Sequence, residues 1–189
     1  MKPKRPVKIK TLEQAYDFVL KVKTSLIFGS TKSALPALWD VVDLPGRRPG
    51  QKGWGQKVEA IWAWKNELPA LFPDEIFYGK LPGGFAALMC LAHLREQHYP
   101  AHHRPVSACR PLARRAYELI RREPHTTAEL RRALSPTGAI SKSRIDGALV
   151  ELQVTLNIVR SNAPGVKTDT WLTFGEQYPQ RVSSANGRA

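Results

Sequence analysis

Cysteine is scarce in this sequence, and the scarcity limits the classes of protein that fit it. Cys90 and Cys109 are the two cysteines among 189 residues, which excludes a framework of several disulfides. Unpaired thiols are the usual state in a reducing compartment. We therefore expect the protein in the cytoplasm.

Long apolar runs are also missing. No stretch approaches the roughly 18 consecutive apolar residues that a membrane-spanning helix needs. The first ten residues, MKPKRPVKIK, are basic and are not followed by the apolar segment of a signal peptide. We therefore expect neither secretion nor a membrane partner.

Acidic residues are the third shortage. The chain has 29 Lys and Arg against 16 Asp and Glu, a formal net charge of +13, and a pI near 10.1. Basic residues outnumber acidic ones in residues 1–100 and again in residues 101–189, so the charge is not confined to one tail. Such an excess repels itself unless a polyanion neutralises it, and we predict double-stranded DNA as the partner. Within the cytoplasm we therefore expect the protein to be associated with the nucleoid. The alternative is a basic surface that only keeps the protein dissolved.

The motif of a nucleoside-triphosphate loop is absent. Residues 44–55, LPGRRPGQKGWG, are rich in glycine and basic residues, but a Walker loop requires Gly-x-x-x-x-Gly-Lys followed by Ser or Thr. Counting from Gly46, position 51 is Gln, and Lys52 is followed by Gly53. A basic loop leading into a helix N-terminus is still suited to phosphate, although an ordinary surface loop fits equally well. The residues predicted to bind DNA here are Arg47, Arg48, Lys52 and Lys57.

Metal ligands at regular spacing are absent as well. Cysteine and histidine gather between residues 90 and 109, but a zinc site needs four ligands in compact pairs. Cys90 and His93 have that spacing, while Pro100 and Pro105 interrupt the remainder. We predict no metal and no cofactor, and we expect the imidazoles to be hydrogen-bonded or exposed to solvent.

The sequence predicts five segments. Residues 1–10 have the composition of a flexible basic arm. We assign residues 11–100 to an N-terminal winged-helix-like domain and residues 101–111, with their prolines, to a linker. Residues 112–175 form the C-terminal domain, and residues 176–189 a disordered tail.

Helical spacing places several elements in residues 11–100. A helix begins at Thr11 with a capping box formed by Thr11 and Gln14. A short helix follows near residues 35–42, and another runs from Trp54 to a stop before Pro69. Its apolar positions 54, 58, 61 and 62 predict that Trp54 and Trp62 are buried and that Trp64 is exposed. A strand is expected at residues 76–78, and residues 85–100 fit either a helix or a strand.

Residues 112–174 have the pattern of a winged helix-turn-helix. One helix begins near Leu112, and a second begins at the capping box of Thr126 and Glu129. Ser141 or Ser143 caps a third helix. Two β-type runs, TLNIVR and TWLTF, then flank a turn-rich loop. The fold class is therefore α+β and mainly helical, with tandem winged helix-turn-helix units and short β-ribbons.

The third helix of such a unit enters the major groove of DNA with its N-terminal residues. We predict DNA contacts from three places in this domain: the N-terminus of the third helix, the second helix and the wing, where Asn162 would also touch the backbone. The alternative is a winged helix that binds protein. The candidate residues are Ser141, Lys142, Ser143 and Arg144 on the third helix, Arg131 and Arg132 on the second, and Lys167 on the wing.

Two stretches carry a resemblance to a known family. Residues 33–80, SALPALWDVVDLPGRRPGQKGWGQKVEAIWAWKNELPALFPDEIFYGK, and residues 142–160, KSRIDGALVELQVTLNIVR, resemble the short AlkZ-related proteins of the AlkZ (YcaQ) DNA glycosylase superfamily. The similarity extends over residues 11–174. It implies tandem winged-helix units that cradle duplex DNA, and it implies a role in DNA repair or genome maintenance.

The catalytic motif of that superfamily is missing. The resemblance implies a Gln-x-Gln pair that positions and activates water to release alkylated or crosslinked bases. No two glutamines of this chain are separated by one residue: they are Gln14, Gln51, Gln56, Gln97, Gln153, Gln177 and Gln180.

A non-enzymatic DNA-binding protein is therefore the function we expect. Carboxylates in the first half would have to replace the glutamine pair in a divergent glycosylase, which is one alternative. A transcriptional regulator that dimerises on a palindromic site is another. The carboxylates in question are Asp40, Asp43, Asp74 and Glu75.

Overall fold

A computed structural model describes residues 8–165 and 168–179 of the chain. Within them the chain divides into two compact units. The first comprises residues 8–78 and 85–93, and the second comprises residues 79–84 together with the described residues from 94 onwards. The predicted linker, residues 101–111, belongs to the second unit. The predicted α+β, mainly helical class is confirmed by the elements of both units.

The described residues of the first unit form four helices, two of them short, and a small sheet. In chain order they are α1 Leu12–Val22, β1 Thr24–Leu26, the short helix α2 Leu38–Val41, α3 Gln56–Leu71, β2 Ile76–Lys80, β3 Ala86–Cys90 and the short helix α4 Leu91–His93. The last two residues of β2 fall in the stretch of residues 79–84 that is grouped with the second unit. The sheet order is β1-β3-β2, and β1 pairs antiparallel with β3. Side chains of α1, α2, α3 and the sheet form one apolar core around Val19, Leu38, Ile61, Leu68 and Leu88.

The second unit repeats this plan after an irregular start. A π-helical turn, Leu94–His98, continues into α5 Tyr99–His102, and a 3-10 turn follows at Val106–Ala108. The remaining elements are α6 Pro111–Arg122, β4 His125–Thr126, α7 Thr127–Leu134, α8 Lys142–Val154, β5 Ile158–Arg160, β6 Thr170–Thr173 and α9 Phe174–Gln177. The core lies between α6, α7, α8 and β6, around Ala116, Ile120, Leu130, Leu149 and Trp171.

Both units share one order of elements. Each runs helix, strand, helix, helix, strand, strand, and in each sheet the last strand lies between the other two: the orders are β1-β3-β2 and β4-β6-β5. The helix α8 of the second unit therefore corresponds to α3 of the first. The segment before α8 is residues 135–141, whereas the segment before α3 is the longer stretch of residues 42–55.

Local capping signals set the helix starts. Thr126 and Glu129 form the predicted reciprocal capping box at α7, and the Ser141 hydroxyl caps α8. At α1 the Thr11 hydroxyl accepts from the Gln14 N–H, but the Gln14 side chain accepts from the Lys10 N–H at 2.7 Å. The capping box predicted there is therefore only half formed.

The predicted tryptophan burial in α3 is wrong. Trp64 is buried, with 7% of its surface exposed, whereas Trp54 and Trp62 are 52% and 43% exposed. The helix begins at Gln56, so Trp54 precedes it, and the buried face runs through Ile61, Trp64 and Leu68 at helical spacing. Three tryptophans in one short stretch allow more than one apolar face of the helix. Ile61 lies on the buried face as predicted, but the tryptophan that packs there is Trp64 and not Trp62.

Pro69 does not end α3 as predicted. The helix continues to Leu71 with Pro69 inside it and buried. Proline removes one backbone hydrogen bond from a helix, but here it lies in the last turn. The N–H of Phe72 bonds the Leu68 carbonyl at 2.9 Å and closes the helix beyond it.

The ends of the described chain are anchored by buried side chains. Ile9 is 1% exposed, and its backbone bonds Val41 and Asp43 at 2.9 and 2.8 Å. Residues 8–10 of the predicted arm are thus held by the first unit, and residues 1–7 lie outside the described residues. Tyr178, in the predicted tail, is buried, while residues 180–189 lie outside. In the part of the chain that the structure describes, no helix has the length and apolar character needed to cross a membrane.

Candidate nucleic-acid interface

The basic loop, defined as residues 42–55, folds back onto the start of α3. Gly55 is the point of contact: a Cβ there would lie 2.2 Å from the Arg47 nitrogen and 2.3 Å from the Gly46 carbonyl carbon. The Lys57 N–H donates to the Pro45 carbonyl at 3.0 Å. Only glycine permits so close an approach of two backbones. The loop is therefore a shaped structure fixed to the helix.

Gln51 organises the interior of the basic loop. Its carbonyl accepts from Arg47 Nε at 2.9 Å, its Oε1 accepts from the Arg48 N–H at 3.1 Å, and its Nε2 donates to the Trp54 carbonyl at 3.0 Å. Arg47, Arg48 and Lys52 are all exposed. The loop thus presents three cationic side chains from a hydrogen-bonded frame. This arrangement suits contacts to phosphate oxygens.

Lys57, the fourth cation predicted here, has another neighbour. Its Nζ lies 4.7 Å from the ring centroid of Trp39, a cation–π contact. Trp39 in turn contacts Phe28, with the ring centroids 5.6 Å apart. The structure therefore groups Arg47, Arg48 and Lys52 and places Lys57 with a different set of side chains.

The N-terminus of α8 is the second basic surface. Ser141 Oγ accepts from the Arg144 N–H at 3.4 Å and caps the helix. Lys142, Ser143 and Arg144 are exposed, and the first turn carries no acidic residue. Among the described contacts, neither the Lys142 ammonium nor the Arg144 guanidinium is bound to another group. The helix dipole adds positive potential at this end.

Arg131 is committed to an ion pair. Its guanidinium makes a bidentate contact with Asp146, with N–O distances of 2.6 to 3.0 Å. The hydrogen bond to this carboxylate raises the pKa of Arg131 above its already high value. The pair joins α7 to α8 and offsets the negative charge of Asp146 close to Lys142 and Arg144. Arg132 is exposed.

The structure describes one of the two predicted wing contacts, Asn162. Lys167 lies outside the described residues. Asn162 is 8% exposed, and its Nδ2 donates to the Tyr178 hydroxyl at 3.3 Å. A buried amide cannot touch a DNA backbone, so the prediction for Asn162 is wrong.

Exposed aromatic side chains were missed by the sequence analysis. Trp54 and Trp62 contact each other, with ring centroids 5.6 Å apart and ring planes at 68°. Below them Lys65 is 6% exposed, and its Nζ lies 4.3 Å from the Trp62 ring and 5.2 Å from that of Tyr78. One sequence signal could have revealed this arrangement. Lys65 follows Ile61 by four residues and precedes Leu68 by three, so it lies on the buried face of α3, where a lysine needs a partner such as an aromatic ring.

Two of the four candidate catalytic carboxylates, Asp43 and Glu75, are engaged in separate contacts. Asp43 lies 3.3 Å from Lys8 Nζ and 3.7 Å from Lys10 Nζ. Glu75 accepts a hydrogen bond of 2.5 Å from the Tyr16 hydroxyl, and this bond is the main cause that raises the pKa of Tyr16 to about 12. The carboxylates of Asp43 and Glu75 thus serve different partners.

Most cysteine and histidine side chains of residues 90–109 are buried or pack against another ring. Cys90 and Cys109 are both buried free thiols. The ring of His98 packs on His102 with centroids 4.4 Å apart, and that of His103 stacks on Tyr99 at 4.5 Å. Within residues 8–165 and 168–179, no group of three or more His, Cys, Asp or Glu side chains is placed to hold a metal ion.

Comparison with known proteins decides the family. A family model described as AlkZ related matches residues 9–170. This chain belongs to the AlkZ-related family. The resemblance drawn from residues 33–80 and 142–160 is thereby confirmed, and the match includes both the basic loop and α8. Comparison with curated proteins and with solved structures found no match.

Proposed function

We propose that this AlkZ-related protein binds double-stranded DNA, and that each of its units is a winged helix-turn-helix. The observation that carries the proposal is the repeated order of elements, with exposed basic residues before or at the start of the third helix of each unit. In helix-turn-helix proteins that end of the helix reaches into the major groove. Family membership supports a place in DNA repair or genome maintenance.

The second unit supplies the more familiar surface. The turn at residues 135–141 joins α7 to α8, and the ion pair of Arg131 with Asp146 connects the two helices. Lys142, Ser143 and Arg144 then project from the first turn as hydrogen-bond donors. Lysine and arginine there bind phosphate or guanine edges. Arg132, exposed on α7, is suited to the flanking backbone.

The first unit supplies a longer version of the same surface. The basic loop stands where the turn of residues 135–141 stands in the second unit. Arg47, Arg48 and Lys52 would bind backbone phosphates, and the frame built by Gln51 and Gly55 holds them in place. The proposed role of these cations is binding, and the candidate carboxylates of Asp43 and Glu75 are paired with other residues.

A double substitution in α8 tests the proposal. We expect Lys142→Ala with Arg144→Ala to weaken binding to a labelled duplex by about 30- to 1,000-fold at moderate salt, because each of the two contacts contributes roughly 1–2 kcal/mol. The binding would be measured by fluorescence anisotropy, and circular dichroism would verify that the variant is folded.

The matched control removes the same charge elsewhere. Lys21→Ala with Lys32→Ala deletes two exposed cations of the first unit that lie outside both proposed surfaces. We expect the control to retain duplex affinity within about threefold, since charges away from the contact act only through the screened general field. Equal losses of duplex affinity in the two variants would show that the effect comes from net charge alone. An unchanged duplex affinity of the α8 variant would show that the interface lies elsewhere.

A further inference from the structure

The tryptophan pair, Trp54 and Trp62, is an exposed aromatic site. The two side chains are 52% and 43% exposed, yet their rings contact each other at 5.6 Å in an edge-to-face arrangement. Single exposed apolar residues are common on protein surfaces. Two indole rings held together in solvent form a local apolar patch, and such patches mark binding sites.

The tryptophan pair is fixed in position from below. Trp62 projects from α3, and the buried Lys65 ammonium lies 4.3 Å from its ring centroid. Trp54 immediately precedes Gly55, whose close contact with the Arg47 backbone anchors the loop. The rings are therefore held by the helix and by the loop before it. A binding surface that is already ordered loses little conformational entropy when it binds.

The tryptophan pair is continuous with the basic loop. The Gln51 amide donates to the Trp54 carbonyl, and the Gln51 carbonyl accepts from Arg47 Nε. One residue thus connects the backbone of the aromatic site with an exposed guanidinium. Arg48 and Lys52 extend from the same frame. The surface offers indole rings next to three cations.

That combination selects the chemistry of the partner. Indole faces bind flat aromatic rings, and arginine and lysine bind phosphates. An unpaired stretch of DNA carries both groups along one strand, and proteins that bind single strands use this pairing of aromatic platforms with a cationic groove. A fully paired duplex hides the faces of its bases. The site therefore fits a DNA strand with exposed bases better than it fits an intact duplex.

We propose that the tryptophan pair binds an unpaired base in otherwise double-stranded DNA, with Arg47, Arg48 and Lys52 on the flanking phosphates. The proposal rests on the DNA binding proposed above and adds which DNA structure the protein prefers. A bulge, a gap or a displaced base would dock on the first unit. The α8 surface would bind paired DNA.

The test compares two DNAs of equal length and label. One is fully paired, and the other carries a short bulge of unpaired thymines at its centre. We expect the unchanged protein to bind the bulged DNA about tenfold more tightly, because stacking one base on an aromatic side chain contributes enough for that factor. Trp62→Ala is expected to abolish the preference, and Trp62→Phe, which keeps a ring, to retain most of it.

Two further variants serve as controls. Leu71→Ala removes another exposed apolar side chain of α3, 60% exposed at the opposite end of the helix, and we expect the preference for bulged DNA to remain. The α8 double variant is expected to weaken binding to both DNAs and to leave their ratio unchanged.

Several outcomes would overturn the inference. Equal affinity of the unchanged protein for the two DNAs would do so while leaving duplex binding intact. An equal loss of affinity for both DNAs in Trp62→Ala would show that the ring contacts paired DNA or supports the basic loop, and does not bind an unpaired base. Unchanged DNA binding in that variant, together with loss of self-association in sedimentation, would assign the pair to a protein contact. Absence of binding to either DNA by the unchanged protein would overturn the proposed function as well.

Discussion

At the scale of single residues, the contact between Tyr16 and Glu75 shows how a neighbour changes a side chain's chemistry. The Tyr16 ring packs on Phe72 with centroids 4.2 Å apart, and its hydroxyl donates to the Glu75 carboxylate. The hydrogen bond is the largest cause, ahead of desolvation and charge repulsion, that raises the pKa of Tyr16 from 10.0 to about 12. Ionising this tyrosine would place two negative groups together.

We expect Glu75→Gln to lower the pKa of Tyr16 towards 10.0. The stability that the pair contributes is fully present below pH 10, the value for an ordinary tyrosine, and is lost as the pH rises through about 12. The substitution should therefore reduce the alkaline slope of the unfolding free energy. A pH titration by NMR of tyrosines labelled at Cζ measures the pKa directly.

Tyr117 is the internal control for that titration. Burial is the main cause that raises its pKa, and it belongs to the second unit. Its titration should be the same in Glu75→Gln as in the unchanged protein. A Tyr16 pKa that stays near 12 in the variant would show that the negative charge of the Glu75 carboxylate is not what raises it.

Sequence could not foresee which cationic residues are available. Arg131 and Arg144 both lie near helix ends and look equivalent in the sequence, but Arg131 is paired with Asp146, fifteen positions away. Such a pairing depends on how two helices pack. Because sequence does not show how the helices pack, it could predict a set of basic residues but not which of them share a surface.

At the scale of elements, the parts of the fold set by local signals were predicted well. The helices capped by Thr126 and Ser141 begin as expected, because a cap depends on a hydroxyl and the N–H groups two or three residues beyond it. The strands around Ile76, Ile158 and Trp171 were also expected. Choices among competing apolar positions were not, as the three tryptophans of residues 54–64 show.

Two glycines should respond to alanine with opposite signs. Gly55→Ala forces a Cβ against the Arg47 backbone, and we expect a loss of about 1–3 kcal/mol as the basic loop is displaced. Gly147→Ala places a methyl group in open space inside α8. We expect it to stabilise the protein by about 0.5–1 kcal/mol, because alanine favours the helix. Chemical denaturation of both variants measures the difference.

Gly46→Ala is the control for the loop. A Cβ at Gly46 would meet nothing within 4 Å, and the backbone there needs no positive φ. Its stability should change by less than about 0.5 kcal/mol. A harmless Gly55→Ala would mean that the loop does not lie against the start of α3 in solution.

At the scale of the whole molecule, the net charge of +13 predicts that DNA binding weakens as the salt concentration rises. The number of cations on the two proposed surfaces sets how steeply it weakens. The exposed cations on the two proposed surfaces are Arg47, Arg48, Lys52, Arg132, Lys142 and Arg144. If they neutralise about six phosphates, the logarithm of duplex affinity should fall with the logarithm of salt concentration with a slope of about −5. The affinity would drop by about 10³ between 50 and 200 mM salt.

A salt titration of duplex binding measures that slope. The α8 double variant should have a slope that is smaller by about two, one unit for each deleted phosphate contact. The control lacking Lys21 and Lys32 should keep the full slope. A duplex affinity that does not change with salt would remove the electrostatic basis of the proposed function.

The strand order described for both sheets has a consequence for synthesis. In each sheet the middle strand is the last of the three along the chain, β3 in one and β6 in the other. While the ribosome is still making residues 86–90, the two outer strands of the first sheet have no partner between them to hydrogen-bond with. The second sheet likewise cannot form until residues 170–173 have been synthesised. Each unit would therefore acquire its sheet in a single late step, and a nascent chain halted just before either segment would expose two unpaired edges.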